Sequence, residues 1–122
     1  MSHTITWEGR GFYKRFTGRV AFPEYARSQE EITGDPRFDE AMYIINDLRE
    51  VEGYTASQDD AEYAAAYTRG PSLSNSRVRI AYVTTDARII LLIRMARMIS
   101  SLDLGTFATL EAAREWGLAV RR

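Results

Sequence analysis

The chain has 122 residues, 45% of them hydrophobic, and its 16 basic and 17 acidic side chains leave a formal net charge of -1, which suits one domain, 1–122, around one core. With no cysteine and His3 as the single imidazole, disulfide frameworks, thiolate nucleophiles, Cys-based zinc sites and paired-histidine metal sites have nothing to build on, and no cofactor is expected. The balanced charge argues against a nucleic-acid partner, and no signal-peptide core or membrane-length apolar run is present, so the expectation is a cytoplasmic protein without membrane attachment.

In chain order, Thr4 to Glu8 and Phe12 to Thr17 are short β-type runs around Gly9-Arg10-Gly11, which predicts an antiparallel hairpin. Pro23, the stretch Glu24 to Thr33, Gly34 and Pro36 mark both ends of a first helix. Its inward stripe is Tyr25, Ala26 and Ile32. Met42 to Ile45 is a short apolar run that ends in Asn46-Asp47 and reads as a strand buried on both faces. Leu48 to Ala56 reads as a loop.

Ser57 stands three residues before Asp60, a variant capping box that predicts a second helix. Tyr63 and Tyr67 share a face of it, and Gly70-Pro71 ends it. Arg77 to Thr84 is the next buried strand, and Thr85-Asp86 opens a third helix. A strand around Leu104 to Phe107 and a fourth helix capped by Thr109 close the chain. Strands alternating with helices predict an α/β fold: a mixed, mostly parallel sheet of about five strands with about four helices, the hairpin adding an antiparallel edge.

This order, together with Phe16-Thr17-Gly18-Arg19-Val20, Tyr43-Ile44-Ile45-Asn46-Asp47, Arg79-Ile80-Ala81-Tyr82-Val83 and the closing run from Phe107 to Trp116, resembles the SpoIIAA-like (STAS-like) family of small bacterial proteins. The resemblance spans nearly the whole chain. It implies a phosphorylation switch at the start of the helix after the central strand, where the candidates by position are Ser57 and Thr55, downstream of Asp47. The chain departs from the family's compact Asp-Ser-Ser-Gly-like element, since it reads Gly53-Tyr54-Thr55-Ala56-Ser57-Gln58-Asp59-Asp60. A phosphoryl group there meets a favourable helix N-terminus but also repulsion from Asp59 and Asp60. Plain N-capping is the simpler role for Ser57.

Ligands in open α/β sheets collect beyond the C-terminal ends of parallel strands. That rim would hold Asp47, Tyr54, Thr85 and Asp86, with Tyr63 and Tyr67 nearby, against a plainer reading in which Asp47 and Asp86 order loops and cap helices. The carboxylate pairs Asp59-Asp60 and Glu30-Glu31 lie in polar stretches and lack the desolvation that acid–base catalysis needs, so no catalytic or metal residue is assigned. The arginine excess, with Lys14 the one lysine, reads as codon preference.

The third helix, Ala87 to Ile99, is apolar almost all round. Helices of that kind are buried almost all round, which a small sheet cannot provide alone. Its spacing places Leu91, Leu92, Met95, Met98 and Ile99 inward. Ile90, Ile93, Arg94 and Arg97 then form a surface for a homodimer or protein partner, where each desolvated aliphatic side chain contributes roughly 1.5–3 kcal/mol. The chain thus reads as a non-enzymatic STAS-like interaction or regulatory module that self-associates through this helix. The alternative is a small-molecule carrier using the rim.

Overall fold

Gly9 takes a φ of +88°, a left-handed conformation open to glycine without strain, and turns Ser2–Trp7 (β1) back onto Gly11–Ala21 (β2). The two strands pair antiparallel from Ser2 opposite Thr17 to Trp7 opposite Phe12, so the expected hairpin forms, with both strands longer than their sequence signals. The computed structural model describes residues 2–55, 75–100 and 102–120. Phe22–Thr33 forms α1, with Pro23 in its first turn, and Pro36–Glu40 adds a 3-10 turn. Then come Tyr43–Thr55 (β3), Arg79–Val83 (β4), Ala87–Ile99 (α2), Asp103–Phe107 (β5) and Leu110–Leu118 (α3).

The sheet is mixed and mostly parallel, in the order β1-β2-β3-β4-β5. Among the described residues, only the β1–β2 pair is antiparallel. Three α-helices lie among the described residues, and the helix expected after Ser57 falls outside them. One face of the sheet carries Phe12, Phe16, Ile44, Ile80 and Leu104 beneath α1 and α2, whose Tyr25, Ala26, Ile32, Ile89 and Ala96 complete that core. The other face carries Tyr43, Ile45, Ala81 and Val83 against Ala113 of α3. Gly11 and Gly117 give Tyr43 its place: a Cβ would lie 2.5 Å from its ring at Gly11 and 2.7 Å from its own Cβ at Gly117.

The loop expected over Leu48 to Ala56 is a strand as far as Thr55. β3 runs past the end of β4, whose last partner pair is Asp47 with Val83, and continues against β2 as far as Thr55 opposite Ala21. The pairing slips between Arg15/Thr17 and again between Gly18/Arg19, each time leaving an extra residue in β3. Bulges of this kind bend a strand and reset which side chains face the core. Leu48 is buried and Val51 packs on the core, but the intervening slip destroys the two-residue period that marks a strand in sequence.

Candidate functional site

The expected rim lies inside β3 at Asp47, beside the end of β4, and is occupied by its own hydrogen bonds. Asp47 accepts from the Tyr13 hydroxyl at 2.5 Å, and from Arg49 through Nε at 2.9 Å and Nη2 at 2.8 Å. Burial opposes ionisation of Asp47, but the bonds from Arg49 and Tyr13 outweigh it and hold the carboxyl below its usual range. Asp86 caps α2 by accepting from the Arg88 N–H at 2.8 Å, its own N–H donating to Thr84 Oγ1 at 3.1 Å. Thr85 is exposed. Ser57, Tyr63 and Tyr67 lie outside the described residues, as do the side chains of Tyr54 and Thr55. The rim's described carboxylates therefore serve structure: one neutralises an arginine and the other starts a helix.

Sequence spacing assigned the wrong face of α2 to the interior. Ile89 and Ala96 are the buried residues and Ile93 packs beside them, a ridge at i, i+4 and i+7 in which small Ala96 lets the helix approach the sheet. Leu91, Met95, Met98 and Ile99, expected inside, are instead 59%, 42%, 86% and 55% exposed. Both stripes are apolar and both have helical period, so periodicity cannot rank them; the size of the side chain at the contact does. Of the expected partner surface, Ile90 is half-buried, Ile93 joins the core, and Arg94 and Arg97 are exposed.

Those two arginines line a cleft of about 300 Å³ with Ile93, residues 104–107 and Trp116. Successive side chains of a strand point to opposite faces, and here Leu104 belongs to the core under α2 while Phe107 packs with α3. A single cavity touching both faces and both helices must wrap around the strand's free edge. Its α3 side is aromatic: the rings of Phe107 and Trp116 are 5.2 Å apart, and the Arg79 guanidinium lies 5.2 Å from the Trp116 ring. A Cβ on Gly105 would come within 3.0 Å of Phe107, so the glycine lets these rings close over the backbone.

Codon preference accounts for Lys14 being the one lysine but gives it no place in the fold. Lys14 is fully buried, and Nζ donates to Gln29 Oε1 at 2.6 Å and to Ser28 Oγ at 3.0 Å. The Tyr25 ring centroid is 4.6 Å away. Burial pushes the ammonium well below the ordinary lysine range, with Glu31 opposing. The available signal was its position: Phe12, Lys14 and Phe16 alternate along β2, so all three face the same way.

Neither a protein-family model nor a curated protein matches the sequence. Among solved structures, the chain is similar to an uncharacterised protein of the DUF3478 family with a SpoIIAA-like fold from Shewanella loihica PV-4. The two share 16% identity over 94% of this chain and 91% of that one, with a TM-score of 0.58. The fold is SpoIIAA-like. At that identity the likeness concerns architecture, and the residues quoted for the resemblance occupy its frame: β2 running into α1, central β3 and β4, and β5 leading into α3. Among the described residues, no three His, Asp or Glu side chains gather into a metal site, and no helix is long and apolar enough to cross a membrane.

Proposed function

We propose that this chain is a non-enzymatic STAS-like interaction and regulatory module of the cytoplasm that forms a homodimer through the outer face of α2. The observation that carries the reading is the exposed stripe of Leu91, Met95, Met98 and Ile99. Four large apolar side chains on one helix face form a contiguous patch of the type that marks contact surfaces. A twofold axis through such a stripe buries it against itself. Methionine suits this use because its unbranched thioether adapts to the facing surface. By helical spacing Arg94 lies along one side of the stripe and Arg88 at its N-terminal end, which gives it a polar border.

Sedimentation equilibrium tests the reading. The wild-type chain should reach a dimer mass in the micromolar range, and the pair Leu91→Glu with Met98→Glu should remain monomeric with its fold intact. A wild-type chain that stays monomeric at high micromolar concentration overturns it.

A further inference from the structure

The cleft at the sheet edge makes a second contact surface. We infer that the groove along β5 accepts an extended acidic peptide segment, which adds to the sheet as a sixth strand between α2 and α3. The inference extends the reading of the chain as an interaction module but does not depend on dimerisation, because it uses a different face of α2.

Three observations converge on it. Among the described residues, β5 ends the sheet and pairs only with β4. Phe107 turns its carbonyl toward β4, accepting from the Thr84 N–H at 2.9 Å. By alternation along the strand, Leu104 and Thr106 direct their N–H and C=O groups to the open edge. β5 lacks three of the usual protections of an edge, proline, lysine and a bulge, and carries a single charge, Asp103, at its start.

The cleft then supplies what such a template needs from its surroundings. It runs along 104–107, with an aromatic wall on the α3 side and Ile93 on the α2 side, so alternate side chains of an added strand meet apolar surface.

Charge selects the occupant. Arg94 and Arg97 stand on the α2 wall, both exposed, and among the described residues the cleft lining includes no carboxylate. Neither guanidinium makes an ion pair among the described residues. The carboxylate at the start of the strand, Asp103, lies 3.9 Å from Arg79 Nε. A second copy is a poorer occupant: antiparallel β5–β5 pairing about an axis perpendicular to the sheet sets two pairs of guanidinium groups on the same side, facing each other. An acidic strand instead gains their attraction, which favours encounter and rejects basic partners.

The test uses the full chain labelled with 15N and the hexapeptide acetyl-Glu-Val-Glu-Val-Glu-Val-amide. Its addition should shift the amide signals of 104–107 and slow hydrogen exchange at Leu104 and Thr106, with Gly105 and Phe107 unchanged because they already bond to β4. Replacing glutamate by lysine in the peptide should weaken binding at least about tenfold. The pair Arg94→Glu with Arg97→Glu, both exposed and unpaired, should keep the fold and invert that preference.

Several results overturn the inference: no protection at Leu104 and Thr106, equal affinity for acidic and basic peptides, or undiminished binding when alternate peptide nitrogens are methylated. Protection of the edge that rises with protein concentration in the absence of peptide also overturns it, since a second copy then holds the strand. A monomeric chain that still binds the peptide would remove the dimer and leave this groove standing.

Discussion

α1 and α2 lie on the same face of the same sheet, yet their inner and outer surfaces are nearly reversed in character. α1 covers a polar cluster, Lys14 with Ser28 and Gln29, and presents Arg27, Glu30 and Glu31 to water. α2 covers only hydrocarbon, through Ile89, Ile93 and Ala96, and presents more hydrocarbon on its outer stripe. Under α1, Lys14 donates to Ser28 and Gln29, and Ser28 donates to the Tyr25 carbonyl, as buried polar groups generally find partners; Asn46 Oδ1, beside Lys14 in the neighbouring strand, is the exception among the described residues. The outer stripe of α2 has no such internal resolution, so the helix pair teaches where a fold is self-contained and where it is built for contact.

The comparison breaks most sharply by truncation. Ile89→Ala should lower unfolding stability by about 3 kcal/mol in urea, because it opens a cavity in the core, whereas Leu91→Ala should stay within about 0.5 kcal/mol in the monomer. Equal costs would mean that the inward face of α2 is misassigned.

Beneath α1, Gln29→Leu should cost about 2 kcal/mol, since it leaves the Lys14 amine short of its nearest acceptor. Lys14→Met should cost about 1 kcal/mol, because it removes the buried ammonium but leaves Gln29 Oε1 without its donor. The double variant should then be more stable than either single variant, since neither group is left unpaired. Additive losses in that cycle would show that Gln29 acts through packing and not through the lysine.

A smaller effect follows from pH. The folded chain holds the Lys14 proton less tightly than the unfolded chain, so between the two binding strengths the unfolded state carries more protons and stability rises with pH. The upper limit of that window is the ordinary lysine value of about 10.4. From about pH 8 to pH 10 the urea midpoint of the wild type should therefore gain on that of Lys14→Met. A difference that stays flat over this range would place the lysine in a wetter site than the structure gives it.

Smallest in energy is the outer stripe. Met98→Glu should leave the stability of the dilute chain within about 0.5 kcal/mol of wild type, but remove the rise of melting temperature with protein concentration that self-association produces. Scanning calorimetry over a hundredfold concentration range reads both.

Much of this architecture was legible because its signals act over a few residues. Asp86 and Thr109 cap α2 and α3 as their positions imply, accepting from Arg88 N–H and Ala112 N–H. Tyr25, Ala26 and Ile32 are buried as spacing requires, since α1 has one apolar face to choose. The site was less legible. Arg94 and Arg97 emerged from the sequence as surface residues of a helix, but the cleft they line also needs β5 and Trp116, which lie 6 to 22 residues further along the chain in other elements. Lys14 hid for the opposite reason: its chemistry suggested water, and only the facing Ser28 and Gln29 make its burial tolerable.

For the described residues, the amino-acid sequence by itself determined the order of helices and strands, the hairpin turn, the caps at Asp86 and Thr109 and the mostly parallel sheet, because hydrogen-bonding caps, glycine turns and apolar period are local properties. Tertiary structure alone decided how far β3 runs, which apolar stripe of α2 is covered, and that a cleft follows the open edge of β5. Each of these depends on what stands opposite: the partner strand β2 against which β3 bulges, the close approach permitted by Ala96, and, among the described residues, the absence of a strand beyond β5. A pattern along one chain records what a segment can bury, and only packing determines which of its surfaces are left for a partner.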